Sequence, residues 1–226
     1  MKRLAIALLT AMLCCTAMAQ DDLEYRWEIG AGAGILGYQG DFSTGLFSNV
    51  QPVGMVVLRR VINPYMALRA AVSYGKMKGS SKDVATYYSQ YAGNEYTFDR
   101  TLGDLSITYE YNFWPYGTGR DYRGARRLVP FIFGGVGVSY AKGGEDNVFT
   151  ANIPIGLGVK YKMNERINVG VEWAMHFSLS DKLDGVADPY GVKSSGMFKN
   201  TDCYHALMLT LTYSFSPKCT TCNKDF

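Results

Sequence analysis

The chain has 226 residues, 47% of them hydrophobic, 14% aromatic and 19% charged, with 25 Gly and 17 Tyr. That length fits one domain, and a formal charge of +3 is too weak to nominate nucleic acid as a partner. The aromatic and β-branched content excludes a disordered chain. Beyond the first twenty residues no stretch nears the ~18 apolar residues that a spanning helix needs.

Residues 1–19 read as a secretory signal. Lys2 and Arg3 form the positive end, Leu4 to Leu13 the apolar run, and Ala17-Met18-Ala19 a small-x-small cleavage site, so the mature chain is expected to start at Gln20. Removing Lys2 and Arg3 takes the formal charge from +3 to +1. Leu13 before Cys14, and Cys14 before Cys15, are too large for a lipid-attachment site. Cys203, Cys219 and Cys222 remain in a compartment that permits disulfides, and an odd count leaves one thiol over or one bond to another chain.

The mature chain then alternates with period two. Ile29, Ala31, Ala33 and Ile35 oppose Glu28, Gly30, Gly32 and Gly34; Leu68, Ala70, Val72 and Tyr74 oppose Arg69, Ala71, Ser73 and Gly75. Leu105, Ile107, Tyr109 and Tyr111 oppose Asp104, Ser106, Thr108 and Glu110. Segments 50–61 and 130–141 are strand-like, but their facing is ambiguous. Ile155, Leu157, Val159 and Tyr161 oppose Pro154, Gly156, Gly158 and Lys160, and Val169, Val171, Trp173 and Met175 oppose Gly170, Glu172, Ala174 and His176. Leu207, Leu209, Leu211, Tyr213 and Phe215 close the set, making eight segments.

A soluble antiparallel sheet would carry Lys, Glu and Thr on its second face. Here that face is Gly, Ala and Ser with single charges, which suits the crowded lumen of an eight-stranded barrel. Tyr and Trp recur near segment ends, as in the aromatic girdles of membrane barrels, and the segments are long enough to cross a bilayer at a tilt. The expected fold is therefore an all-β, eight-stranded antiparallel transmembrane barrel of the outer membrane over residues 20–215, with a tail at 216–226. Tight connections at 62–64 and 164–165 alternate with long ones near 37–50, 77–97 and 178–203 and a shorter one at 142–148. Short turns are periplasmic in such barrels, so both termini are expected there.

Glu28, Arg69, Glu110, Lys160 and Glu172 fall on the small-residue face. They would cost several kcal/mol each in hydrocarbon, so they must point inward and pair. An ion path and a lumen plug of salt bridges both fit; eight strands leave little open pore, which favours the plug. The connection from Pro115 to Pro130 is long for a periplasmic turn and carries Arg120, Arg123, Arg126 and Arg127 against Asp121 alone. It reads as a solvated or headgroup-contacting loop, or as a docking surface for an acidic partner.

Catalysis has weak support. Only His176 and His205 are available; Ser178 shares a face with His176, and His205 shares the lipid-facing parity of Leu207. Cys219-x-x-Cys222 is half of a zinc pair with no second half, so neither a metal nor a cofactor is expected. Cys203 lies sixteen residues from Cys219 along a mostly straight strand, too far for a disulfide within one barrel. The tail cysteines could bond to each other or to a neighbouring chain.

The ordered blocks Glu28–Asp41, Asn63–Gly75, Glu110–Tyr116, Pro130–Val138, Ile153–Tyr161 and Gly170–Trp173, leading to Ser180–Asp184, resemble the PorG-type outer-membrane barrels of the type IX (Por) secretion apparatus. The resemblance spans most of the mature chain, leaving out 77–97 and 185–202. It implies a non-enzymatic protein in the outer-membrane lipid that attaches to a periplasmic ring of the lipoprotein PorK with PorN. The cysteine tail, which maps onto no family-wide pattern, could be a covalent tie to that ring. The competing reading is an OmpA-like small barrel acting as a slender channel or adhesin.

Overall fold

The computed structural model describes residues 25–39, 49–80, 97–117, 125–143, 147–180 and 203–215. They form eight strands: β1 (Trp27–Gln39), β2 (Gln51–Asn63), β3 (Met66–Ser80), β4 (Thr97–Asn112), β5 (Leu128–Lys142), β6 (Val148–Lys162), β7 (Ile167–Ser178) and β8 (Cys203–Phe215). Each pairs antiparallel with its neighbours in sequence, and β8 pairs with β1 to close the barrel.

The register fixes the shape. Stepping from Ile29 across Leu58, Ala70, Ile107, Val136, Ile153, Phe177 and Cys203 returns to Gln39, ten residues further along β1. Ten residues of rise at about 3.3 Å, set against eight strand spacings of about 4.8 Å, tilt the strands by about 40°.

The barrel is inverted relative to a soluble protein. Val56, Leu58, Leu68, Val72, Ile107, Val136, Leu157, Val171, Leu209 and Leu211 are large, apolar and exposed on the outer wall. Above them Tyr74, Tyr140 and Phe149 form one aromatic row across β3, β5 and β6; Trp27, Tyr111, Phe113, Tyr161, Tyr213 and Phe215 ring the opposite end. On β4 about eight tilted residues separate the two belts, or roughly 20 Å, the height of a hydrocarbon band. Every strand of this outer wall is paired on both edges in a closed sheet, which leaves no open edge to lipid.

The two strands of ambiguous facing now have a definite one. Val53, Met55, Val57 and Arg59 of β2, and Val129, Phe131 and Phe133 of β5, point inward. Phe131 and Phe133 are opposite Gly158 and Gly156 of β6, and their rings occupy the space in which Cβ atoms would stand. The hairpin β3–β4 also reaches further than the loop expected from residue 77, pairing Lys76↔Thr101 through Ser80↔Thr97. It is held there by Met77 and Phe98, which point into the lumen and pack with Tyr38 and Leu102 as an apolar cap at the long-connection end. The polar run from Lys76 to Ser80 masks that continuing alternation in the sequence.

Lumen-facing Gly34 approaches β8 so closely that any Cβ would overlap the Leu207 carbonyl oxygen, whereas outward-facing Gly54 has open space around it. Gly34→Val is therefore expected to lose the compact, fast-migrating form of the folded barrel on unheated SDS gels. Gly54→Val should keep it.

Candidate functional site

The lumen is built as layers along the barrel axis. Its centre is the Glu110 carboxylate, fully buried on β4. Arg59 of β2 bonds Glu28 of β1 at 2.6 Å through one nitrogen. Its Nε lies 2.9 Å from Glu110 Oε2, an ion pair without hydrogen-bond alignment. Lys160 of β6 donates to the other oxygen of Glu110. Separately, Arg69 of β3 pairs with Glu172 of β7, and its guanidinium lies over the Phe133 ring at 4.8 Å. Glu28, Arg69, Glu110, Lys160 and Glu172 thus all stand in the lumen, but as two groups. The first is joined through Arg59, which the sequence reading did not single out. Among the described residues the buried charged side chains are five cations (Arg59, Arg69, Arg100, Lys160, Lys162) and four anions (Glu28, Asp104, Glu110, Glu172). The lumen is thus close to neutral.

Towards the short-turn end the chain folds back into its own mouth. Tyr116, from the β4–β5 connection, is buried over Lys160 and Lys162, 4.5 and 5.2 Å from its ring centre, and donates to Asn168 Oδ1 at 2.9 Å. Asn168 in turn donates to Thr212 and Ser214 at 3.1 Å each. Burial, with Glu28 next, pushes the Tyr116 phenol above its ordinary value, so it remains a neutral donor.

Towards the other end, Asp104 accepts from Asn152 at 2.6 Å, Tyr204 at 2.8 Å and Ser139 at 3.1 Å. His176 stacks on the Tyr204 ring with centroids 4.5 Å apart, and its Nδ1 lies 3.8 Å from Asp104. The Ser178 hydroxyl bonds Thr150 and the Ser180 carbonyl rather than forming a nucleophile–base pair with His176. His205 lies on the outward parity, as the alternation predicts, yet is buried. Between the Asp104 and Glu172 groups lies a cavity of about 30 Å³, lined by Arg69, Thr108, Phe133 and His176 among others. That is space for one or two waters, not for a permeating ion with its hydration shell. What this interior can do chemically is hold paired charges in the lumen with room for one or two waters at this level.

The short-turn face carries two of the arginines of the β4–β5 connection. Arg126 and Arg127 are exposed there. A parallel bridge between Tyr116 and Arg126, with Arg126 N donating to Pro115 at 2.8 Å, straps the two sides of the connection together. The Arg126 guanidinium lies 4.8 Å from the centre of the Trp114 ring. Arg120, Arg123, Cys219 and Cys222 lie outside the described residues. The Cys203 thiol, at the opposite end of β8 from the tail, donates to the Gln39 carbonyl at 3.0 Å.

The family model DUF6089, a domain of unknown function, matches residues 2–224. The chain belongs to that family. No curated protein matches it. Among solved structures this DUF6089 barrel is similar to the Neisserial surface protein A, NspA, at 15% identity and a TM-score of 0.50, over 84% of this chain and 97% of that one. It is also similar to Ail, the attachment invasion locus protein of Yersinia pestis, at 10% identity and 0.49, over 85% and 100%. The outer membrane protein OprG of Pseudomonas aeruginosa gives 11% and 0.48, over 85% and 97%. The likeness is one of fold, that of an eight-stranded outer-membrane barrel.

The ion-pair centre makes a direct prediction. Arg59→Met leaves Glu28 and half of Glu110 buried without a cation, and removing one partner of a buried pair typically costs about 3–5 kcal/mol. Urea unfolding of the barrel in lipid vesicles should shift to lower midpoint by a corresponding amount. Restoring neutrality with Glu28→Gln on that background should recover part of the loss.

Proposed function

We propose that this protein is a non-enzymatic component of the type IX protein secretion machinery. It anchors or positions the periplasmic PorK/PorN ring at the outer membrane, with its termini and short turns in the periplasm. The observation that carries the reading is the β4–β5 connection: a long, arginine-bearing segment braced by Tyr116 in the mouth of the barrel. A barrel whose interior is packed with ion pairs has its working surface elsewhere. Exposed Arg126 and Arg127, with Arg120 and Arg123 in the same connection, offer a basic face to an acidic partner. The ordered resemblance to PorG-type barrels supports the same assignment. The Cys219-x-x-Cys222 tail adds a candidate covalent tie on that side.

The test is a pull-down from membranes in mild detergent, with and without reductant. The ring lipoprotein should co-purify with the wild-type barrel, and Arg126→Glu/Arg127→Glu should lower its recovery roughly ten-fold while the barrel stays folded. A heavier, reductant-sensitive band lost in Cys219→Ser/Cys222→Ser would support the covalent tie; recovery indifferent to reductant would keep the scaffold and discard the tie. A barrel recovered alone would overturn the proposal in favour of an OmpA-like channel or adhesin.

A further inference from the structure

The adjacent residues Arg59 and Arg60 have opposite fates. Arg59 turns into the lumen and pairs with Glu28, while Arg60 stands on the outer wall, at the level of the aromatic belt of the short-turn end. Its guanidinium lies 5.7 Å from the centre of the exposed Trp27 ring. Three strands round the wall, in the β6–β7 turn, Arg166 is held in a similar way. Its Nη1 donates to the Tyr213 hydroxyl at 2.9 Å and its Nε to the Tyr25 hydroxyl at 3.3 Å. Trp27 and Phe215 are register partners and lie on the wall between the two arginines.

Among the described residues, neither guanidinium has a carboxylate within ion-pair distance. By contrast, Lys78 at the other end pairs with Asp99 at 2.9 Å. Two cations are thus fixed by aromatic side chains, with no counter-ion among the described residues, on an apolar wall at the height of the lipid headgroups. An acidic side chain of a soluble protein would have to enter the interface beside exposed Trp27, Leu58 and Phe215 to meet them. A lipid phosphate is already at that depth. A zwitterionic headgroup brings its own ammonium, so the unbalanced positive charge selects a lipid with net negative charge.

We propose that Arg60 and Arg166, with the Trp27–Phe215 wall between them, form a binding site for the headgroup of an anionic phospholipid in the leaflet around the short-turn end. The lipid's acyl chains lie along the apolar wall, its phosphate takes a hydrogen bond from one guanidinium oriented by its aromatic partner, and the other guanidinium adds positive charge along the same wall. The inference rests on the membrane-barrel reading and not on the secretion ring. Loss of ring binding leaves it intact.

The experiment is native mass spectrometry of the full mature barrel in detergent, titrated with phosphatidylglycerol or phosphatidylcholine of the same chain length. The wild type should prefer phosphatidylglycerol. Folded Arg60→Gln/Arg166→Gln should lose most of that preference, by roughly thirty-fold for two basic side chains near a membrane surface. Arg60→Lys/Arg166→Lys, which keeps the charge, should retain much of it. If the Gln variant does not fold, the wild type decides alone: its preference should fall steeply as salt rises from about 0.05 to 0.5 M. Equal binding of both lipids, a preference surviving in the folded Gln variant, or free glycerol phosphate binding as tightly as the lipid would each overturn the proposal.

Discussion

The Glu110 carboxylate is the point on which the interior turns. It is withdrawn from water on the barrel axis and is tolerable there only because Arg59 approaches one oxygen and Lys160 the other. Through Arg59 the contact continues to Glu28, so one connected set of charges joins β1, β2, β4 and β6. Strand ladders hold each strand to its two neighbours; this set ties strands across the lumen. Lipid outside offers these charges no alternative solvation, so facing outward is not a competing state. The pairing also favours this register, because a one-residue slip of β2 in one direction would put Leu58 in place of Arg59 and leave Glu28 and one oxygen of Glu110 without that cation.

The inverted pattern follows from the same constraint. The outer wall gains nothing from shape complementarity with fluid lipid, and its composition is correspondingly simple: branched aliphatics between two aromatic belts. Specific packing is concentrated inside. Phe131 and Phe133 lie over Gly158 and Gly156, Tyr38 meets Phe98 edge-on, and Tyr204 stacks on His176. A barrel of eight strands has room for such a filling but not for a channel beside it. The layers differ in chemistry from end to end, with an apolar cap, a hydrogen-bonded Asp104 group, the ion pairs, and finally Tyr116 with Asn168.

Much of the fold was legible because alternation is a direct readout of a two-faced strand. Where one face carries Gly, Ser and single charges, as in 104–112 or 154–160, each residue's side follows from parity alone. The rule fails where both faces are apolar. In β2, Val53, Met55 and Val57 face in and Val56 and Leu58 face out, and hydropathy cannot tell them apart. That ambiguity hid Arg59, because the side of a dibasic pair is known only once the strand's parity is known. The available signal was indirect: Glu28 and Glu110 outnumbered the cations assigned to the lumen near them. Asp104 was legible as inward-facing, but its partners Asn152, Ser139 and Tyr204 come from β6, β5 and β8. Only the closed barrel brings those strands round one carboxylate. The inward Phe131 and Phe133 were hidden likewise, since an aromatic ring inside a small barrel needs glycines beside it, and that match is a property of register.

The β4–β5 connection joins the charged lumen to the basic outer surface. A turn serving only to reverse the chain needs two to five residues, as between β2 and β3. This one instead sends Tyr116 inward onto Lys160 and Lys162 and presents Arg126 and Arg127 outward, with the Tyr116–Arg126 bridge between the two actions. The inward side chain shares Lys160 with Glu110, so the outer surface of the connection is braced against the ion-pair centre and not against a flexible strand end. The arginine-bearing surface is therefore tied through Tyr116 and Lys160 to the buried charges of the lumen. The proposed role, holding a periplasmic assembly at the membrane, would draw on that bracing.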